Sequence, residues 1–147
     1  VNDYLPMSRR NMLDFDGPAE AFRRAFQAAG ITVDDLDFAE VHDCFTIAEL
    51  MIYEAMGLAP KGRGRQAIDD GIVMPDGRLP INLSGGLKAK GHPIGATGVS
   101  MHVLSAMQLV NQAGGMQKKG AALGCVFNMG GSAVANYCSV LEPVRVA

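Results

Sequence analysis

The chain has 147 residues, enough for one domain and too few for two of ordinary size. Hydrophobic residues make up 48% and charged residues 19%, a globular balance that excludes a disordered chain. The net charge of −2 excludes a general polyanion binder, so no nucleic-acid partner is expected, and no apolar run reaches the ~18 residues of a membrane helix.

Residues 1–15 carry no clear period and read as a lead-in segment. The chain lacks an initiator Met, which suggests a piece of something longer. Val1-Asn2-Asp3-Tyr4 shows no signal-peptide pattern, so a cytoplasmic location is expected. Asp16-Gly17-Pro18 looks like a capped helix start. Phe22, Ala25, Phe26 and Ala29 recur at helical spacing, and Gly30 is placed to end the helix in a left-handed conformation. Ile31 to Asp37 reads as a polar turn and Phe38 to His42 as a short strand. A second helix is predicted over Thr46–Met56, closed by Gly57. Strand, polar tetrapeptide, helix is an order in which α/β folds present site residues.

Residues 57–98 hold 10 of the 18 glycines and four of the seven prolines. Within them, 58–80 is a Gly/Pro-rich basic loop, with one helical turn expected over Gln66–Asp70. Leu79 to Leu83 reads as a short extended run. The next helix is predicted over Ala96–Gln112, ended by Gly114-Gly115. Its apolar residues cover most of the circumference, which predicts burial on two sides. Ala121 to Phe127 and Ala133 to Leu141 read as a hairpin around Asn128-Met129-Gly130-Gly131.

Charge is unevenly spread: 4 basic and 11 acidic side chains over 1–60, then 6 basic and 3 acidic over 61–90. The basic stretch is a solvated loop or a place where Lys61 to Arg65, or Lys88 and Lys90, meet phosphates. Cys44, Cys125 and Cys138 fit neither a disulfide framework nor a zinc site, so no metal is expected and a reducing compartment is.

Three motifs carry chemistry. In Gly91-His92-Pro93-Ile94-Gly95-Ala96-Thr97-Gly98 a histidine precedes a proline turn and a helix N-terminus. Its glycines, Gly91 and Gly95 among them, let backbone approach a ligand, and the helix start favours negative charge. In His42-Asp43-Cys44-Phe45 a His and a Cys two apart share one side of an extended chain, unless Asp43 merely caps a helix over a buried Cys44. In Gly124-Cys125-Val126-Phe127-Asn128-Met129-Gly130-Gly131 a thiol near a glycine turn could lie beside free N–H groups able to hold an oxyanion. Cys138 and His102 read as packing residues.

In this order the three motifs resemble the C-terminal half of a thiolase, most closely the sterol-carrier-protein type, from about Gly17 to Glu142. The resemblance implies an α/β fold, half of an αβαβα architecture, with a mixed five-stranded sheet flanked by helices. It makes 1–147 one thiolase C-terminal domain. It implies Claisen condensation or thiolytic cleavage of 3-ketoacyl-CoA, with acyl-CoA as substrate and no covalent cofactor. His92 would donate to an oxyanion, and His42 would stand where many thiolases carry the Asn of an NEAF motif. Cys125 matches the acid/base cysteine of C-x-G, with Cys44 as competitor, and Cys125 is favoured. Phe127 departs from the glycine of that motif, and Gly130 and Gly131 come later.

No cysteine precedes His42, so the acyl-accepting cysteine lies outside the chain, and the isolated chain is expected to be inactive. The implied partners are the N-terminal thiolase half and a dimer or tetramer of the parent. One alternative is a degenerate thiolase-like scaffold, or a retro-aldolase subunit with an OB-fold partner. Others are a stand-alone Cys–His hydrolase and a pure interaction domain. The run from Gly85 to Gly91 lacks the phosphate-loop pattern, which discards a nucleotide-binding reading.

Overall fold

A computed structural model describes residue 11 and residues 13–144. Most of the 1–15 lead-in therefore lies outside the described residues. In chain order the elements are α1 (Asp16–Ala29), β1 (Phe38–Val41), α2 (Thr46–Met56), α3 (Gln66–Asp69), α4 (Gly86–Lys90), α5 (Thr97–Leu109), β2 (Gly124–Gly130) and β3 (Ala135–Leu141). Short 3-10 turns lie at Val33–Asp35 and Gly114–Met116. Among the described residues no helix is long and apolar enough to cross a membrane.

α1 ends as predicted, with Gly30 left-handed, and so does α2, with Gly57 left-handed. Asp16 does not cap α1: the cap position is Phe15, and no side chain bonds there. The turn after α1 is more ordered than its polarity suggests. Thr32 and Asp35 form a reciprocal capping box around Val33–Asp35.

Among the described residues the sheet has three strands, in the order β1-β2-β3. β1 runs parallel to β2, and β2 antiparallel to β3. The expectation of five strands is thus not met. The extended run at Leu79–Leu83 contributes one isolated bridge, Ala39 to Ile81. Two residues stop it from becoming a strand. Pro80 has no N–H to donate, and Asn82 takes a positive φ of 56° that turns the chain away. Asn82 still serves the sheet edge, because its Oδ1 accepts from the Val41 N–H at 2.8 Å.

The hairpin forms with a shifted turn. β2 runs on through Asn128 and Met129, and the reversal uses Ser132 and Ala133, both at positive φ. Side chains alternate across the sheet, as a two-residue period requires. Cys125, Phe127 and Met129 join Ala39 and Val41 in the large core with Phe22, Phe26 and Ile52 of α1 and α2. On the other face, Val126 packs with Leu87 and Met101, and Phe38 with Leu109 and Ala121.

α5 lies on that second face and is not buried on both sides. Thr97, Met101, Ser105 and Gln108 face inward, while Val99 and Val103 are 66% and 51% exposed. Of the inward polar residues, the buried Ser105 hydroxyl has no hydrogen-bond partner among the described residues, whereas Gln108 has a reason to be there. Gln108 ties down the following loop, donating to the Met116 carbonyl at 2.6 Å and accepting from the Lys118 N–H at 2.8 Å. Gly114-Gly115 does not end α5. The helix stops at Leu109, and Asn111 takes the left-handed position.

Candidate active site

All three motifs meet at the end of the sheet, the third through Asn128. His42 follows β1 directly and is only 5% exposed. His92 sits in the exposed turn between α4 and α5. Their rings lie edge to face, centroids 4.9 Å apart and 85° between planes. Each Nδ1 is held by a neighbour: His42 by Asn128 Oδ1 at 2.6 Å, and His92 by Thr97 Oγ1 at 2.7 Å. The Thr97 hydroxyl gives its single proton to the Pro93 carbonyl. With its proton placed there it accepts from His92 Nδ1, an arrangement that leaves a lone pair on Nε2 of the uncharged ring. Asn128 presents its oxygen, and the same logic gives His42 a protonated Nδ1. Burial lowers the His42 pKa below the ordinary 6.5, the Asn128 bond opposes that, and the nearby His92 charge adds to the lowering.

Two buried carboxylates brace this pair. Asp43, 2% exposed, accepts from the Leu87 N–H at 2.6 Å and so caps α4. It does not cap the helix that follows it in sequence, because the cap position of α2 is Phe45. Gly86 has to be glycine here: its φ is +65°, and a Cβ would run into the Asp43 carboxylate. Glu40, 3% exposed, accepts from the Ser84 N–H at 3.1 Å, from its hydroxyl at 2.5 Å and from Lys90 Nζ at 3.2 Å. Glu40 and Asp43, on either side of His42, thus grip both ends of the short helix that leads to His92.

The remaining predicted site residues divide. Gly91 and Gly95 flank His92 with φ of +96° and +85°, and neither has an atom near its Cβ position. Gly130 and Gly131 are exposed at the end of the hairpin. Cys44 is half-buried and packs beside the cluster of Leu87, Met101 and Val126. Burial, the main cause, raises its pKa above the ordinary 9.0.

Cys125 requires a correction. It is 0% exposed and lies within the ladder, opposite Ala39 and Val140, on the α1 face of the sheet. The imidazoles meet Asn128, three residues along β2 and hence on the opposite face. The bond to Cys138 and then burial push the Cys125 thiol well up, which is the reverse of activation. The residue this strand supplies to the site is Asn128. Strand alternation, once the strand is drawn through 128 and 129, is the signal that finds it. A shallow hollow lined by Phe15, Ala19, Met51 and Lys61 shares no residue with the histidine pair, and the site is placed by the imidazoles.

The chain matches the family described as "Thiolase C-terminal domain-like" over residues 2–143. This chain belongs to that family. It is 44% identical over 124 residues to the acetyl-CoA acetyltransferase of Methanothermobacter thermautotrophicus, covering 84% of this chain and 32% of that protein. It is 44% identical over 119 residues to human sterol carrier protein 2, covering 81% of this chain and 22% of that protein. The chain thus spans about a third or less of the curated relatives it matches. A solved structure titled "Ltp2-ChsH2(DUF35) aldolase" superposes with a TM-score of 0.73 at 22% identity, over 85% of this chain and 31% of that one, a likeness of fold. In this member of the family the histidines of both motifs are brought together, and the cysteine of the third is not with them.

Proposed function

We propose that this chain is the C-terminal half of a thiolase-type acyltransferase that condenses or thiolytically cleaves 3-ketoacyl-CoA. The observation that carries the proposal is the edge-on pair of His42 and His92, each oriented through Nδ1. The lone pair on His92 Nε2 accepts a proton from a thiol. The resulting imidazolium then donates to the oxyanion that forms on the thioester carbonyl. His42, buried and held neutral, orients the enolising ester from the second side. Cys44 takes the acid/base role at the α-carbon. Its raised pKa keeps it as the thiol, the form that delivers a proton in the cleavage direction.

Gly91, Gly95, Gly130 and Gly131 provide exposed, side-chain-free backbone for acyl-CoA. The acyl-accepting cysteine belongs to an N-terminal half. The exposed Val99, Val103 and Val110 of and beside α5, with Ile94 at 98% exposure, support an apolar cover on this face. In the proposed parent that cover is the N-terminal half, and the parent is a dimer or tetramer in the cytoplasm.

The test is acetoacetyl-CoA thiolysis by this chain, by its full-length parent and by the parent carrying His92→Ala. Activity is expected in the unmutated parent alone. Turnover by the isolated chain would overturn the missing-cysteine argument. An inactive parent would favour the retro-aldolase reading, to be tested with a small OB-fold partner.

A further inference from the structure

The face of the sheet away from the histidines holds a second pair of reactive groups. Cys125 and Cys138 lie on neighbouring antiparallel strands, in diagonal register: Cys125 is opposite Val140, and Cys138 is opposite Phe127. Both side chains point to the α1 face, and their sulfurs are 3.5 Å apart. The two differ in access. Cys138 is partly buried, and Cys125 is fully buried. We propose that Cys125 and Cys138 form a dithiol site that reacts with small oxidised disulfides of the glutathione class and closes to an intramolecular disulfide.

The step balances in two exchanges. The Cys138 thiolate attacks one sulfur of oxidised glutathione, forming a mixed disulfide and releasing one glutathione thiolate. Cys125 then loses its proton and attacks the Cys138 sulfur. The Cys138–glutathione bond breaks, and the second glutathione leaves as a thiol. The protein dithiol is oxidised by two electrons, and one oxidised glutathione becomes two reduced ones. The sulfurs need to approach by about 1.5 Å to reach a disulfide bond length of ~2.05 Å. Diagonal positions on antiparallel strands lie about 7–8 Å apart, so closure also draws β2 and β3 together locally, and the sulfur contact already in place brings the resolving thiol to the mixed disulfide. Cys44 is the internal reference. It is half-buried and belongs to the other motif, so its adduct has no neighbouring thiol to resolve it.

The test incubates the full 147-residue chain with oxidised glutathione, traps free thiols by alkylation and maps the peptides by mass spectrometry. The expected product is a Cys125–Cys138 cross-link two hydrogens lighter than the reduced chain, with glutathione retained only at Cys44. Cys125→Ser is expected to keep glutathione on Cys138, and Cys138→Ser is expected to leave Cys125 unreacted. A lasting adduct on wild-type Cys138, no reaction at Cys138, or a cross-link to Cys44 would overturn the proposal. So would a cross-linking rate that stays the same in concentrated urea, because closeness along the chain would then suffice. The readout is a mass, so the outcome is independent of any acyltransferase activity.

Discussion

The two faces of the sheet are built on different principles. The α1 and α2 face is closed by the chain's own helices, with Phe22 stacked on Phe127 at a centroid distance of 4.7 Å within one continuous core. The α5 face carries two small apolar clusters, the buried carboxylates Glu40 and Asp43, and the histidine pair. Its helix turns valines outward. Stability is concentrated on the first face, where the large apolar core is buried. Chemistry is concentrated on the second, where polar groups are held by specific bonds at the edge of an incomplete cover. The difference also explains the cysteines. The thiol that looked catalytic in sequence is on the structural face, and the amide three residues along the strand is on the chemical one.

The largest effect that would test this contrast is on the closed face. Phe127→Ala removes a fully buried ring from the stack and is expected to destabilise the chain by about 3–5 kcal/mol, measured by urea unfolding. A loss near zero would show that this face is not the stabilising one.

The next effect is electrostatic and belongs to the open face. His42 has its folded pKa lowered below 6.5, chiefly by burial. The unfolded chain then binds the proton more readily. This contribution to stability is present above about pH 6.5 and is lost as the pH falls through the folded pKa. His42→Gln is expected to flatten the decline in unfolding free energy between neutral and mildly acidic pH. An unchanged slope would assign the decline to other groups.

The smallest effect is at the valines. Val103→Ser is expected to change the stability of this chain by no more than about 0.5 kcal/mol, because the side chain is already half in water. The same change is expected to weaken association with an N-terminal half, measured by titration calorimetry. A large loss of stability in this chain alone would show that α5 packs more tightly than its exposure indicates.

Much of the local structure was legible in the sequence. The α1 and α2 ends follow from Gly30 and Gly57, the hairpin from its alternation and glycines, and the His92 turn from proline and glycine chemistry. The family, too, can be read from the three motifs. These are short-range properties, set by backbone sterics and by the spacing of residue types. Other features depended on elements far apart in the chain. Which helix Asp43 caps was decided when α4 came to rest 44 positions away, at Leu87. Whether Leu79–Leu83 became a strand was decided by Pro80 and Asn82 against the edge of β1. Which residue of β2 reaches the imidazoles was decided by the phase of the strand, since a shift of one position exchanges the faces of a sheet. Composition shows that the chain holds cysteines and histidines. Only the packed sheet determines that His42 meets Asn128 on one side and Cys125 meets Cys138 on the other.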